Sequence, residues 1–348
     1  METMKAIAYY APGDIRLDPA PIPQCRADEI RAKVDACAVC GTDLKTYLHG
    51  NPRIKAPRIM GHEFTAIVET VGERVKSFRA GQRIVMATSV SCGACSYCFR
   101  GLNNLCLNLS PMGFSYSGGM AEYITIPSQA LKNRHVVKVP EGVKAEHAAL
   151  AEPVSCAVNA CGNCHLKQGD TVLVTGAGPM GIINACVARH FGAERIMIAE
   201  TNPVRLEKAR AFEFDLLINP DAEDLHKAVL DFTGGIGADV AIVAAPAKEP
   251  QVQALDLVRK QGTVCLFASL PASDSMLSLD SRKIHYNELH VVGSSDSTPD
   301  HVTSAVEMIA AGHVPAERIA THILPLDDIF TAFDLMQSGQ ALRVVLKP

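Results

Sequence analysis

The chain has 348 residues, 48% of them hydrophobic and 20% charged, with a formal net charge of −4. That length predicts two domains rather than one core, and the composition is that of a soluble globular enzyme. The absence of a long basic stripe excludes nucleic acid as a partner. No apolar run reaches the roughly 18 residues of a membrane helix.

Met1–Tyr10 lacks the charged-then-apolar pattern of a secretory leader, so the expected location is cytoplasmic. Lys5–Tyr9 is expected to be the first strand. Short strands at Glu29–Val34, Thr65–Val71, Arg83–Met86 and Glu122–Ile126 follow, broken by Gly/Pro-rich turns, and predict a β-rich domain up to about residue 150. Within it, Arg53, Lys55 and Arg58 form a local basic group. It suits either a solvated loop or a site for an anionic group on the substrate.

From Thr171 the rhythm changes to alternating strands and helices. The predicted strands are Thr171–Val174, Ile196–Ala199, Leu216–Ile218, Val240–Ala244, Thr263–Phe267 and Leu289–Val292. Helices are predicted at Pro179–Phe191, Val204–Phe214, Glu223–Phe232 and Gln251–Val258. Six strands alternating with helices call for a doubly wound parallel sheet, an α/β architecture. Two further helices, Asp300–Ala311 and Leu326–Met336, and a strand, Arg343–Leu346, form a tail too short to fold alone. It is expected to return to the first domain. The domains are therefore 1–153 with 294–348, and 154–293.

After the first parallel strand comes Gly176-Ala177-Gly178-Pro179-Met180-Gly181. The first glycine permits a tight turn, the second a close approach of backbone to pyrophosphate, and the third close helix–strand packing. The helix N-terminus then faces the pyrophosphate. Glu200 ends the next strand, where a carboxylate accepts hydrogen bonds from ribose hydroxyls and repels a 2′-phosphate. Arg205 argues the other way, since arginine can hold that phosphate. Position at the strand end favours Glu200, and hence NAD over NADP.

Twelve cysteines in a reducing compartment point to metal rather than disulfides. Cys92-x-x-Cys95-x-x-Cys98-x7-Cys106 can wrap one tetrahedral zinc with no position left for substrate, which makes the site structural. An iron–sulfur cluster is the alternative. Cys40-Gly41-Thr42-Asp43, Gly61-His62-Glu63 and Ala151-Glu152-Pro153 hold a second, dispersed set of competent ligands, though spacing alone does not assemble them. Cys161 and Cys164 form either a redox or metal pair or two packed helix residues.

Together, Cys-Gly-Thr-Asp at 40–43, Gly-His-Glu at 61–63, the four-cysteine loop, Glu-Pro at 152–153, the glycine turn and Ile284–Leu289 resemble the zinc-containing medium-chain dehydrogenase/reductase family, and within it the sorbitol (L-iditol) dehydrogenase-like branch. The resemblance spans nearly the whole chain. It implies a GroES-like catalytic domain, discontinuous in sequence, beside a six-stranded Rossmann domain. It also implies two zinc ions per chain, bound NAD, a homodimer or homotetramer, and a small polyol or sugar-derived substrate with no nucleic-acid or membrane partner. The catalytic zinc would take Cys40 and His62, with Glu63 and Glu152 or water completing the shell. Both carboxylates are not expected to bind tightly throughout the cycle, because the site would then carry net negative charge. Thr42 would pass on the proton, and Asp43 would orient a ligand.

Lys45 stands where many relatives carry a histidine, Thr46 where sorbitol enzymes carry a tyrosine, and Gly293-Ser294-Ser295-Asp296 where they carry an arginine. The resemblance therefore implies oxidation of a secondary alcohol to a ketone more firmly than sorbitol as substrate. An anionic sugar-alcohol phosphate or threonine is the alternative substrate, and Lys45 would meet such an anion. A non-catalytic relative is the remaining reading.

Overall fold

A computed structural model describes residues 2–348. The chain divides into two compact units: residues 1–155 with 296–348, and residues 156–295.

The first unit is built from strands β1 (Thr3–Ala11), β2 (Asp14–Pro21), β3 (Ile30–Ala38), β4 (Arg58–Ile59), β5 (Glu63–Val71), β6 (Arg83–Met86), β7 (Ser89–Val90), β8 (Ser110–Pro111), β9 (Tyr123–Ile126) and β10 (Val136–Lys138). β1 lies between β2 and β4. A larger sheet runs β10-β6-β5-β3, with β9 also on β3. Ile30, Phe64, Ile84, Met86 and Ile124 of this sheet pack with Ile7 of β1 and with Met120 as one core. That core removes apolar area at roughly 25 cal/mol per Å², the main stabilising term.

The second unit carries β11 (Thr171–Thr175), β12 (Arg195–Ala199), β13 (Leu216–Ile218), β14 (Ala238–Val243), β15 (Val258–Leu266) and β16 (His290–Gly293). They form one parallel sheet in the order β13-β12-β11-β14-β15-β16. This is the doubly wound order, with its switch point at the C-terminal end of β11. β11 is buried at all five positions, as expected of a strand covered by helices on both faces. Leu173, Met197, Ile218, Val243, Leu255 and Val264 make this unit's core.

The tail adds β17 (Ala320–Pro325) and β18 (Arg343–Lys347) to the first unit, parallel to each other, with β18 antiparallel to β3. β17 was not expected from the sequence. Its residues alternate between buried or half-buried and exposed, and Thr321 and His322 dilute the apolar signal. Two other elements differ in extent. The helix expected to reach Phe214 stops at Ala209 and tightens into a 3-10 turn over Arg210–Phe212, closed by Glu213 at φ 55. β15 begins at Val258 rather than Thr263: Ala238 pairs with Val258 and Val240 with Thr263, so the polar residues between them bulge out of the ladder, with Gln261 at φ 57.

Candidate active site and metal centres

The antiparallel pairing of β3 and β5 sets Ala38 opposite Glu63. Cys40, just past the end of β3, therefore comes beside His62, just before β5. Cys40 caps the helix Gly41–His49, and Asp43 Oδ2 accepts a hydrogen bond from the Cys40 backbone N–H at 2.9 Å. The Cys40 sulfur, a His62 ring nitrogen and a Glu63 carboxylate oxygen all lie within 4.8 Å of one another.

Arg343, the first residue of β18, donates from Nη2 to Glu63 Oε1 at 2.7 Å and from Nη1 to the Val39 carbonyl at 3.3 Å. Both side chains of this ion pair are buried, at 2% and 1% exposure. His62 Nδ1 faces Asp43 Oδ1 at 3.7 Å.

Burial opposes ionisation of Cys40. His62, by charge and hydrogen bond, and then Arg343 outweigh it and hold the thiol well below its usual range. Burial likewise opposes the charge on His62, yet Asp43 and Cys40 raise it well above an ordinary imidazole. Burial pushes Glu63 well up despite Arg343, Asp43 to about 6 and Glu152 to about 7. Acidic groups thus crowd one histidine and one arginine, a balance that calls for a cation. Glu63 Oε2 and His62 Nδ1 are buried without a hydrogen-bond partner among the described residues. Thiolate, imidazole and carboxylate with spare lone pairs suit zinc.

Glu152 opens the helix Ala151–Asn163. It is close enough in charge to feel Cys40, His62 and Arg343, but its carboxylate groups with that of Asp296, within 4.8 Å. Thr42 is half-buried and its backbone N–H reaches the Cys40 sulfur. Lys45 is exposed on the same helix.

The sulfurs of Cys92, Cys95, Cys98 and Cys106 all lie within 4.8 Å of one another, with Cys95–Cys98 at 3.5 Å and Cys95–Cys106 at 3.8 Å. Tetrahedral zinc with Zn–S near 2.3 Å needs sulfurs roughly 3.8 Å apart. Backbone N–H groups, that of Cys98 first, lower Cys95 to about 6. Burial pushes Cys106 to about 12, even though the Cys92 and Asn108 N–H groups bond its sulfur. Such N–H···S bonds suit thiolates.

In the second unit, Gly176 has φ +99, and a Cβ on Gly181 would lie 1.7 Å from the Gly176 carbonyl oxygen. Nothing lies within 4 Å of the Cβ position of Gly178, which leaves a cradle open for a phosphate at the start of the helix Pro179–His190. Met180 lies in the first turn of that helix. Glu200 is buried and accepts from the Ala177 N–H at 2.7 Å and the Asn202 N–H at 2.8 Å. Arg205 is half-buried on the helix Pro203–Ala209.

Residues 26–141 match the alcohol dehydrogenase GroES-like domain, and residues 179–311 match the zinc-binding dehydrogenase domain. The chain is 32% identical to a sorbitol dehydrogenase of Halalkalibacterium halodurans over 99% of both chains. It is 30% identical to a D-arabitol-phosphate dehydrogenase of Enterococcus avium over 99% of this chain and 98% of that one. The chain belongs to the zinc-containing medium-chain dehydrogenase/reductase family. It also superposes on a zinc-binding dehydrogenase of Sinorhizobium meliloti 1021, solved bound to NADP, with a TM-score of 0.92, 28% identity and full coverage of both chains. This dehydrogenase is an oxidoreductase of the zinc- and nicotinamide-dependent kind.

Two residues beside the site of this dehydrogenase escaped the sequence reading. Arg343 carried one usable signal: it is a charge at the head of the otherwise apolar run Val344-Val345-Leu346. Asp296 was visible only as a replacement for an arginine of relatives. Cys161 and Cys164 are buried thiols. Burial raises Cys161, and a hydrogen bond with Cys265 raises Cys164, so both are neutral packing residues.

Proposed function

We propose that this dehydrogenase reversibly oxidises a secondary hydroxyl of a polyol-like or sugar-derived substrate to a ketone, with NAD as hydride acceptor. Alcohol and NAD⁺ give ketone, NADH and a proton. The observation that carries the reading is the meeting of Cys40, His62 and Glu63 at one point. When bound, zinc supplies Lewis acidity at the hydroxyl oxygen and the nicotinamide accepts hydride.

The chain's own residues do the rest. Cys40 and His62 hold the metal, with Glu63 or Glu152 as the exchangeable carboxylate. Arg343 occupies one oxygen of Glu63 and so weakens it as a ligand, leaving a position for substrate. Asp43 orients His62. The Thr42 hydroxyl takes the substrate proton and hands it toward solvent, where Lys45 stands at the exposed side of the same helix. Cys92, Cys95, Cys98 and Cys106 hold a second, structural zinc. Gly176, Gly178, Pro179, Met180 and Gly181 cradle the pyrophosphate. Glu200 receives the adenosine ribose hydroxyls, with Arg205 nearby on the following helix. The protein works in the cytoplasm as a homodimer or homotetramer.

A second reading, an anionic substrate such as a sugar-alcohol phosphate, has one observation in its favour. The Arg53 guanidinium lies 4.6 Å over the Phe114 ring, and Phe114 lies 5.8 Å from the His62 ring.

Metal analysis should give about two zinc per chain. An NADH-absorbance screen over polyols, inositols, sugar phosphates, amino alcohols and threonine should find its best substrate among the neutral polyols. One zinc or none, or exclusive turnover of a phosphate or of threonine, would overturn this reading.

A further inference from the structure

The four-cysteine loop rises between β7 and β8, which pair at its base. Its first ligand, Cys92, is held from outside the loop. The helix Ser128–Lys132 carries Gln129, and Asn133 closes that helix. Asn133 Nδ2 donates to the Ser91 carbonyl at 2.6 Å, and Gln129 Nε2 donates to the Cys92 carbonyl at 3.0 Å. These carbonyls belong to the two planar peptide groups on either side of the Cys92 Cα, so both planes are pinned. Gly93 has φ +73, and a Cβ there would lie 2.4 Å from Asn133 Oδ1; the amide lies flush on the backbone beside the ligand. The Ser91–Cys92 peptide also reaches a sulfur, since the Cys92 N–H donates to Cys106 Sγ at 3.2 Å. One polar chain thus runs from Asn133 through a peptide group to a second ligand, and each hydrogen bond in such a chain strengthens the next. Ser91 is fully buried. Asn103 Nδ2 donates to its hydroxyl at 3.2 Å, and that hydroxyl lies 2.9 Å from His135 Nε2, which anchors the same residue again.

We propose that Asn133 and Gln129 are positioning residues for the structural zinc: they pre-set the Cys92 sulfur and, through the Ser91–Cys92 peptide, the N–H that bonds Cys106, and so govern how long the metal is retained. This goes beyond naming the four ligands and rests on the reading that they hold zinc. A sulfur on a freely turning backbone swings away once it lets go, and a competing chelator takes its place. With both peptide planes fixed, the same sulfur stays within reach of the ion and rebinds. Partners that orient a ligand in this way are worth about 10–100-fold in metal affinity. Apolar packing does little of this work in the loop, where Tyr97, Phe99, Leu102, Leu105 and Leu107 are all exposed.

The test follows zinc transfer to an excess of a chromophoric pyridylazo-resorcinol chelator. It uses a Cys40→Ser parent, in which the four-cysteine site holds the remaining zinc, and adds thermal unfolding of the zinc-loaded and metal-free forms. Asn133→Ala and Gln129→Ala remove one donor each without adding charge. Asn133→Asp and Gln129→Glu keep the side chain's shape but set an oxygen against the carbonyl. Each of the four should release zinc about tenfold faster than the parent, and the double alanine variant faster still. Each should also lose more melting temperature in the zinc-loaded form than in the metal-free one. Release at the parent's rate, with equal losses of melting temperature in both forms, would reduce the two amides to loop anchors and refute the proposal. Acceleration in the acidic variants alone would show charge repulsion rather than positioning, and would equally refute it. A parent that carries no zinc would instead remove the structural-zinc reading, and this proposal with it.

Discussion

Replacing Arg343 with methionine would keep most of the side chain's volume and leave Glu63 buried without its cation. The pair is almost fully enclosed, at 2% and 1% exposure, and joined at 2.7 Å. Breaking such a pair from one side costs about 3–5 kcal/mol. Each kcal/mol moves Tm by roughly 2–4 °C in a unit of roughly 200 residues, so Arg343→Met should lower the melting temperature of the first unit by about 6–20 °C. The assay is thermal unfolding of the zinc-loaded protein near neutral pH. Glu63→Gln combined with Arg343→Met removes both charges and should recover most of the loss, because the cost lies in the stranded carboxylate rather than in the missing bond. Stripping the metal should deepen the single variant's defect, since with Arg343 and zinc both gone only His62 is left beside Glu63 to offset its charge. A fall of less than about 2 °C in Arg343→Met would refute the reasoning and mean that Glu63 is protonated in the folded protein.

Gly181→Ala should abolish NADH binding measured by fluorescence, because the new methyl would meet the Gly176 carbonyl at 1.7 Å; retained affinity would show that the helix can move away. Glu200→Ser should raise NADP use relative to NAD by at least about tenfold in steady-state kinetics, the worth of one repulsive or hydrogen-bonding charge; an unchanged ratio would place cofactor choice elsewhere. His135 is buried. Its Nδ1 lies 3.0 Å from the Ala87 carbonyl, and its Nε2 receives the Ser91 N–H at 3.2 Å, an arrangement that suits the neutral ring. Burial lowers its pKa, while the unfolded imidazole takes up a proton near 6.5. Stability should therefore fall as pH drops below about 6.5, toward the folded value. His135→Gln should flatten that stretch of a Tm-against-pH curve, and identical curves would exclude the histidine.

What the sequence disclosed follows from distance along the chain. The four-cysteine loop spans fifteen positions and the glycine turn six, so residue type and spacing nearly define each geometry. The parallel strands were visible because burial on both faces leaves a continuous apolar run, as in Thr171–Thr175. Cys40, His62 and Glu152 were named through resemblance to a family, since their approach depends on how β3 pairs with β5 and on where a helix begins. The partner of Glu63 was out of reach: Arg343 lies 280 positions away, and only the docking of β18 on β3 brings it in. Asp296 and Ser89, joined by a hydrogen bond, stand 207 positions apart, and neither has a local pattern that announces the other. β17 was missed because a half-exposed strand with Thr and His reads as loop.

β18 also sets an order of assembly during synthesis. A ribosome makes β3, β5 and the Cys40–His62–Glu63 cluster first, then the entire parallel-sheet unit, and only then the guanidinium that neutralises Glu63. Until residue 343 emerges, the nascent first unit lacks the cation that pairs with Glu63, and the Cys37–Ala38 stretch of β3, beyond the part already paired with β9, lacks its β18 partner. Truncations before β18 should accordingly spare the dinucleotide-binding fold while leaving the catalytic unit dependent on chaperones, and fusions at the far end must leave the last strand free to thread home.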